Sequence, residues 1–417
     1  MIQYTRHSLD NGLTLVCNTD SSTPFVAVNI LYKVGARDEQ PHRTGLAHLL
    51  EHLMFGGSRN VDDFDARVQQ AGGESNAYTN NDYTNYYIIL PAANIETALW
   101  LESDRMMKPK LTRQSLEIQK NVVVEEFKQH YLNRPYGDLW LQLRPLAYKV
   151  HPYRWNTIGI EPEHVERVSL DEVKTFSRAH YAPDNAIIAI SGNISSGKAL
   201  ELVKRWFGEI PPANATRKSY PREPRQQETR RLVIANHPVP VPSDMISIAF
   251  HAGERASDYF YASDILSDVL ANGESARLHA NLVKKNPLFS DIDAFLTADV
   301  DPGLFIIQGK PAKGIPVKEA EDAIINEIQT LASEGVAERE LQKTRNKIDL
   351  QIACHEISYQ SKATRLAFFE YLGNVDLVNS ERDRYEPFSI DSLKETAREL
   401  FRTGNKSTLL YLSSPET

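Results

Sequence analysis

Apolar positions near the N-terminus fall at strand spacing, switch to helical spacing, and then repeat that order once more. Leu13 to Asn18 reads as a strand after a turn closed by Gly12, and Phe25 to Val34 as a longer, largely apolar one. From Leu46 to Phe55 the period is helical, with Leu46, Leu49, Leu50 and Leu53 on one stripe. An Asp-capped helix from about Asp62 to Ala71 follows, and Gly72-Gly73 ends it. Glu74 to Thr79 and Thr84 to Leu90 read as two strands joined by the turn residues Asn80-Asn81-Asp82. Helical patterning holds from Asn94 to Tyr181, before a strand at Ala186 to Ser191 and a helix at Ser196 to Phe207.

Pro211 to Glu228, PPANATRKSYPREPRQQE, carries four prolines, many charges and almost no apolar residues, which is the composition of an exposed linker. Beyond it the order returns: strands Arg231 to Ala235 and Ile246 to Ala252, helices Tyr259 to Ala271 and Ala276 to Lys285, and strands near Ile292 to Leu296 and Leu304 to Gly309. Long helices from Val317 to Leu372, a helix at Ser389 to Phe401 and a strand at Ser407 to Leu412 complete it. The expectation is an α+β fold of two homologous sheet-plus-helices units, each a sheet with helices mainly on one face. Residues 1–212 form the first, 213–228 the linker and 229–417 the second.

Composition narrows the function. No apolar run among the 417 residues approaches the roughly 18 of a membrane span, so no membrane span is expected. Lys+Arg number 47 against 55 Asp+Glu, a net charge of -8, which argues against nucleic acid as a partner. Cys17 and Cys354 stand alone, so a metal site must use histidine and carboxylate. MIQYTRHSLDNGLTLV has no apolar core of a signal peptide, and a cytoplasmic location is expected, although a mature exported chain would read the same.

His48-Leu49-Leu50-Glu51-His52 lies on the first of the expected helices. Side chains three and four apart share a helix face, so two imidazoles and a carboxylate converge there. Zn²⁺ takes neutral imidazole nitrogens at about 2.0–2.1 Å and keeps a position for water when three protein ligands hold it. With 12 histidines in the chain, H-x-x-E-H arises by chance on the order of once in a hundred such sequences, which favours a site over two surface histidines.

The stretch GARDEQPHRTGLAHLLEHLMFGGS, Gly35 to Ser58, resembles the signature of the pitrilysin/insulinase-type zinc peptidases at Gly35, Gly45, Ala47, His48, Glu51, His52, Phe55, Gly57 and Ser58. The two-half organisation extends this resemblance over essentially the whole chain, in the short form similar to the catalytic subunit of the mitochondrial processing peptidase. It implies that family's metallohydrolase fold, with one Zn²⁺ per chain. It also implies a third metal ligand on a later helix, where Gln119 to Phe127 (QKNVVVEEF) matches and places it at Glu126. Helical periodicity alone does not choose between Glu126 and Glu125. Many relatives carry a second glutamate where this chain has Gln119, a neutral group able to hydrogen-bond a ligand. Setting TGLAHLLEHLMFGGS beside YASDILSDVLANGES aligns His48 with Asp264, Glu51 with Ser267 and His52 with Asp268, and NVVVEE beside NKIDLQ aligns Glu126 with Gln351. The second half thus lacks the whole set.

The activity implied is a zinc-dependent endopeptidase acting on extended or unfolded peptides. His48, His52 and Glu126 hold the metal, and Glu51 serves as general base. Gly72 to Tyr86 resembles the family's substrate strand, in which Asn76 and Ala77 offer backbone groups to a peptide. Some relatives present an Arg/Tyr pair from the non-catalytic half to the substrate carbonyl, and Arg365 and Tyr371 are the candidates here. Chains with two such units resemble half of a four-unit clamshell, so a homodimer, or a heterodimer with a non-catalytic homologue, is implied. The alternative is a catalytically silent structural or assembly subunit of the same fold. Such subunits typically lose the His/Glu set that this chain keeps.

Overall fold

Along the first half, the computed structural model has strands β1 (Thr5–Ser8), β2 (Thr14–Thr19), β3 (Phe25–Tyr32), β4 (Glu74–Thr79), β5 (Thr84–Pro91) and β6 (Ala186–Gly192). Its helices are α1 (Leu46–Leu53), α2 (Phe64–Gln70), α3 (Ile95–Met107), α4 (Arg113–Phe127), α5 (Leu139–Ala147), α6 (Pro162–Glu166), α7 (Leu170–His180) and α8 (Ser196–Phe207). The second half has strands β7 (Arg230–Ile234), β8 (Met245–His251), β9 (Phe289–Leu296), β10 (Leu304–Pro311) and β11 (Lys406–Tyr411). Its helices are α9 (Asp258–Ala271), α10 (Arg277–His279), α11 (Val317–Glu334), α12 (Glu338–His355), α13 (Tyr359–Tyr371), α14 (Leu377–Ser380) and α15 (Ile390–Leu400). The structure describes residues 1–214 and 219–413, so residues 215–218 of the expected linker lie outside the described residues. No described helix is long and apolar enough to cross a membrane.

The strands form two sheets of the same topology. The first runs β1-β2-β6-β3-β5-β4 and the second β7-β11-β8-β10-β9. In each, one parallel pair (β2 with β6, β7 with β11) sits among antiparallel neighbours. Apart from β1, the second sheet repeats the first strand for strand. The duplication read from the order of elements is therefore present in the pairing itself.

The two compact units do not follow the linear boundaries expected at 1–212 and 229–417. One comprises Met1–Phe127, Trp155–Tyr220 and Ile352–Ser380, and the other Lys128–Arg154, Pro221–Gln351 and Glu381–Thr417. Each half lends a helical segment to the sheet of the other. In the first unit Leu366, Ala367 and Phe369 of α13 pack against Val16, Ala27, Leu31, Ile187 and Ala189. In the second, Leu139, Leu143 and Ala147 of α5 pack against Met245, Ala249, Leu304, Ile306 and Leu409. Strand side chains alternate between faces, so the equally buried Val26, Val28, Ile30 and Ile190 point away from α13. Both faces are covered, which is why β3 and β6 read as largely apolar runs, interrupted by the buried Asn29 and Ser191, and not as an alternation. The expectation of helices mainly on one face missed the lent helix.

The linker is tied down where it is described. Tyr220 donates its hydroxyl to Asp38 Oδ1 at 2.6 Å in the first unit. The Gln226 amide donates to the carbonyls of Glu228 and Lys406 in the second.

Candidate metal centre

Helix α1 begins without a capping side chain of its own. Gly45 precedes it with φ near 88°, and a Cβ there would lie 2.6 Å from the Ile158 carbonyl oxygen, so glycine alone fits. The exposed N–H groups of the first turn are met from six residues upstream. Glu39 Oε2 accepts from Gly45 N at 2.9 Å and Oε1 from Ala47 N at 2.7 Å. Burial pushes the Glu39 carboxyl well above the usual range, and these backbone donors pull against that shift. Leu46, Leu49, Leu50 and Leu53 are buried as their spacing predicts, which turns His48 and His52 out of the core toward α4.

Glu126 lies in the last turn of α4, and its neighbour Glu125 is exposed. Glu126 Oε2 is 3.9 Å from His48 Nε2 and 3.4 Å from His52 Nε2, and the two Nε2 atoms are 3.3 Å apart. Among the described residues, His48, His52 and Glu126 are the group whose ligand atoms gather closely enough to hold a metal ion. The spacing fits one. Tetrahedral bonds of about 2.0–2.1 Å put neighbouring ligand atoms about 3.3 Å apart, whereas two imidazole nitrogens at that distance without an ion must share a proton between them.

The electrostatics separate the members. Burial, helped by the nearby His52 and opposed by Glu126, lowers His48 to about 4, so this imidazole is neutral and its lone pair is available. Burial also works against a charged His52, but the hydrogen bond and charge of Glu126, the charge of Glu51 and a hydrogen bond to Gln119 outweigh it and raise the group. Gln119 therefore contacts His52 from the position where many relatives carry a glutamate. His48 Nδ1 is buried without a hydrogen-bond partner among the described residues, so the polar contacts of that ring are made through Nε2. Glu51 is buried on the same helix, and burial raises its carboxyl against the opposing hydrogen bond from Thr79.

The other expected residues fall in two places. Asn76 and Ala77 lie on β4, the edge strand of the sheet, paired with Tyr87 and Tyr86 of β5. Asn76 Oδ1 caps the Ala77 N–H at 2.8 Å, a local bond that an incoming strand can replace. Arg365 and Tyr371 lie on α13, the lent helix. The Arg365 guanidinium sits 5.2 Å over the Phe369 ring. The Tyr371 hydroxyl accepts from Arg37 at 2.7 Å and donates to the Asp82 carbonyl at 3.1 Å. Sequence reasoning did not single out Glu39 or Thr79. The missing side-chain cap at Gly45 was the available signal for Glu39.

Two family models match adjacent parts of the chain: "Insulinase (Peptidase family M16)" over residues 14–139 and "Peptidase M16 inactive domain" over residues 167–348. The zinc protease PqqE of Helicobacter pylori is 29% identical over 97% of this chain and 91% of its own length. The crystal structure of a protease from Helicobacter pylori superposes with a TM-score of 0.92 at 26% identity, over 99% of this chain and 100% of that one. Pitrilysin, at 17% identity and a TM-score of 0.75, covers 100% of this chain with 45% of its own, a likeness of fold alone. Two family models in tandem over two sheets of one topology, together with relatives matched over nearly their whole length, lead to one conclusion: the chain belongs to the insulinase (M16) peptidase family, in its short, two-domain form.

Proposed function

We propose that the chain is a zinc-dependent endopeptidase that cuts extended peptides, with His48, His52 and Glu126 as metal ligands and Glu51 as general base. The observation that carries this reading is the gathering of two imidazole nitrogens and a carboxylate oxygen at metal-ligand spacing, with a second, buried carboxylate one residue from His52. A pure metal store has no use for that fourth group. A zinc ion held there supplies electrophilic assistance to the scissile carbonyl and acidifies an attacking water. Glu51 takes the water's proton on a carboxylate oxygen and returns it to the leaving amine.

The β4 edge would bind the substrate backbone as an added strand through Asn76 and Ala77. Such pairing selects extended peptides over folded domains. Arg365 and Tyr371 remain the proposed substrate-facing pair of α13, and a homodimer or a heterodimer with a non-catalytic homologue is the proposed assembly.

The test is metal content and peptide turnover measured on the same samples. Wild type should hold one zinc per chain and cut an unstructured peptide. Glu51→Gln should keep the zinc and lose turnover by at least about a hundredfold, while Glu126→Gln should lose both. A wild type that binds zinc and cuts nothing, alone or with a homologous partner chain, points to the silent-subunit reading instead.

A further inference from the structure

Thr79 is the last residue of β4 and pairs directly with Thr84, the first of β5. Its hydroxyl donates to Glu51 Oε2. The Thr84 hydroxyl lies 3.3 Å from that of Thr79 and donates to the Val34 carbonyl oxygen at 3.0 Å. Counting protons fixes the direction of this chain. Each hydroxyl has one proton, and a carbonyl can only accept. The Thr84 proton is committed to Val34, so Thr84 can offer Thr79 only a lone pair. The Thr79 proton then goes to the carboxylate, the stronger, charge-assisted acceptor. Thr84 and Val34 are fully buried and Glu51 nearly so, while Thr79 between them is half-buried.

We propose that Thr79 is a positioning residue for Glu51. By occupying Oε2 it leaves Oε1 as the oxygen free to receive a proton, and it holds the carboxylate in one rotamer. This inference rests on the reading of Glu51 as general base. It adds a link from the peptide-binding edge to the base, because Thr79 closes the strand that carries Asn76 and Ala77. A threonine suits the post: β-branching restricts χ1 in a strand, so the hydroxyl is aimed before the bond forms.

The experiment uses full-length Thr79→Val, which keeps shape and loses the hydroxyl, and Thr79→Ser, which keeps the hydroxyl. For Thr79→Val the expected result is kcat lowered by about tenfold to a hundredfold, with KM and zinc content unchanged. Thr79→Ser should return to within a few-fold of wild type. Crystal structures of the zinc-loaded proteins should show Glu51 in one rotamer in wild type and Thr79→Ser, and displaced in Thr79→Val. Activity within twofold of wild type in Thr79→Val overturns the proposal, as does an equal loss in both variants accompanied by loss of zinc. If wild type binds zinc without cutting peptide, the peptidase reading fails by itself. The crystal comparison still decides the role of Thr79, and an unmoved Glu51 in Thr79→Val overturns it.

Discussion

Tyr371 donates its hydroxyl proton to the backbone carbonyl of Asp82, a residue 289 positions earlier in the chain, at 3.1 Å. The same hydroxyl accepts from Arg37 at 2.7 Å, and Arg37 forms an ion pair with Asp82 Oδ1 at 2.7 Å. Helix α13 is thereby pinned to two loops of the first unit. One is the turn between β4 and β5, and the other leads through Glu39 into α1. The helix that covers the sheet thus also braces both segments that carry the candidate chemistry.

Replacing Tyr371 with Phe separates this bracing from a role at the substrate. The loss of two buried hydrogen bonds, with Arg37 and Asp82 left paired to each other, should cost about 1–3 kcal/mol in urea unfolding. A bracing residue should show that loss with kcat lowered only a few-fold. Stability unchanged with kcat lowered a hundredfold would instead mark Tyr371 as a group that contacts the reacting carbonyl.

Glu39 should matter to the metal without touching it. Glu39→Gln puts an amide N–H₂ where α1 presents a backbone N–H, so one helix-terminal donor loses its acceptor in a buried site. Stability should fall by about 1–3 kcal/mol, and zinc should be lost at a lower chelator concentration because His48 follows Ala47 directly. Unchanged zinc retention in a chelator titration would confine Glu39 to the stability of the helix.

Gln119 is the departure from the family pattern that can be reversed in one step. A carboxylate in its place would accept from His52 with a full charge and make that imidazole a more basic ligand. Gln119→Glu should therefore hold zinc about tenfold more tightly in competition with a chelator. Equal affinity would mean that the neutral amide already orients His52 as well as a charge does.

Much of this was legible from spacing. The ends of β4 and α8 fall where the pattern of apolar and turn residues puts them, and Leu46, Leu49, Leu50 and Leu53 point inward, so His48 and His52 do not. Local signals suffice when a residue's neighbours in sequence decide its fate. They fail for α5 and α13, whose apolar stripes announce a buried face and carry no mark of which sheet receives it. They fail again for Glu39 and Thr79, because a carboxylate capping a helix from six residues upstream, or a strand-end hydroxyl holding a base, has no sequence period. The choice between Glu125 and Glu126 belongs to the same class. It depends on how α4 is rotated against α1, and the structure turns Glu126 inward.

The second unit keeps a carboxyl where the first has His48, and that exchange has a consequence for stability. Asp264 receives the Tyr385 hydroxyl at 2.7 Å, and burial pushes it up to about 6 from an ordinary 3.8. Asp268 and Glu381 face it with like charge, while Arg255 and the Tyr385 hydrogen bond pull the other way without overcoming burial. A carboxyl raised in the folded state favours folding while it is protonated. Its contribution is complete below pH 3.8 and is lost as pH rises through about 6, so at neutral pH the ionised group costs stability relative to the acid form. The difference between the two limits is about 3 kcal/mol. Asp264→Asn keeps an oxygen for Tyr385 and cannot ionise. It should be more stable than wild type at pH 7.5 by about 1–3 kcal/mol and match it near pH 4, with the two urea-unfolding curves converging between these values. If the difference between variant and wild type is the same at both pH values, Asp264 is already paired well enough to stay charged in the folded protein, and Arg255 outweighs the burial that surrounds it.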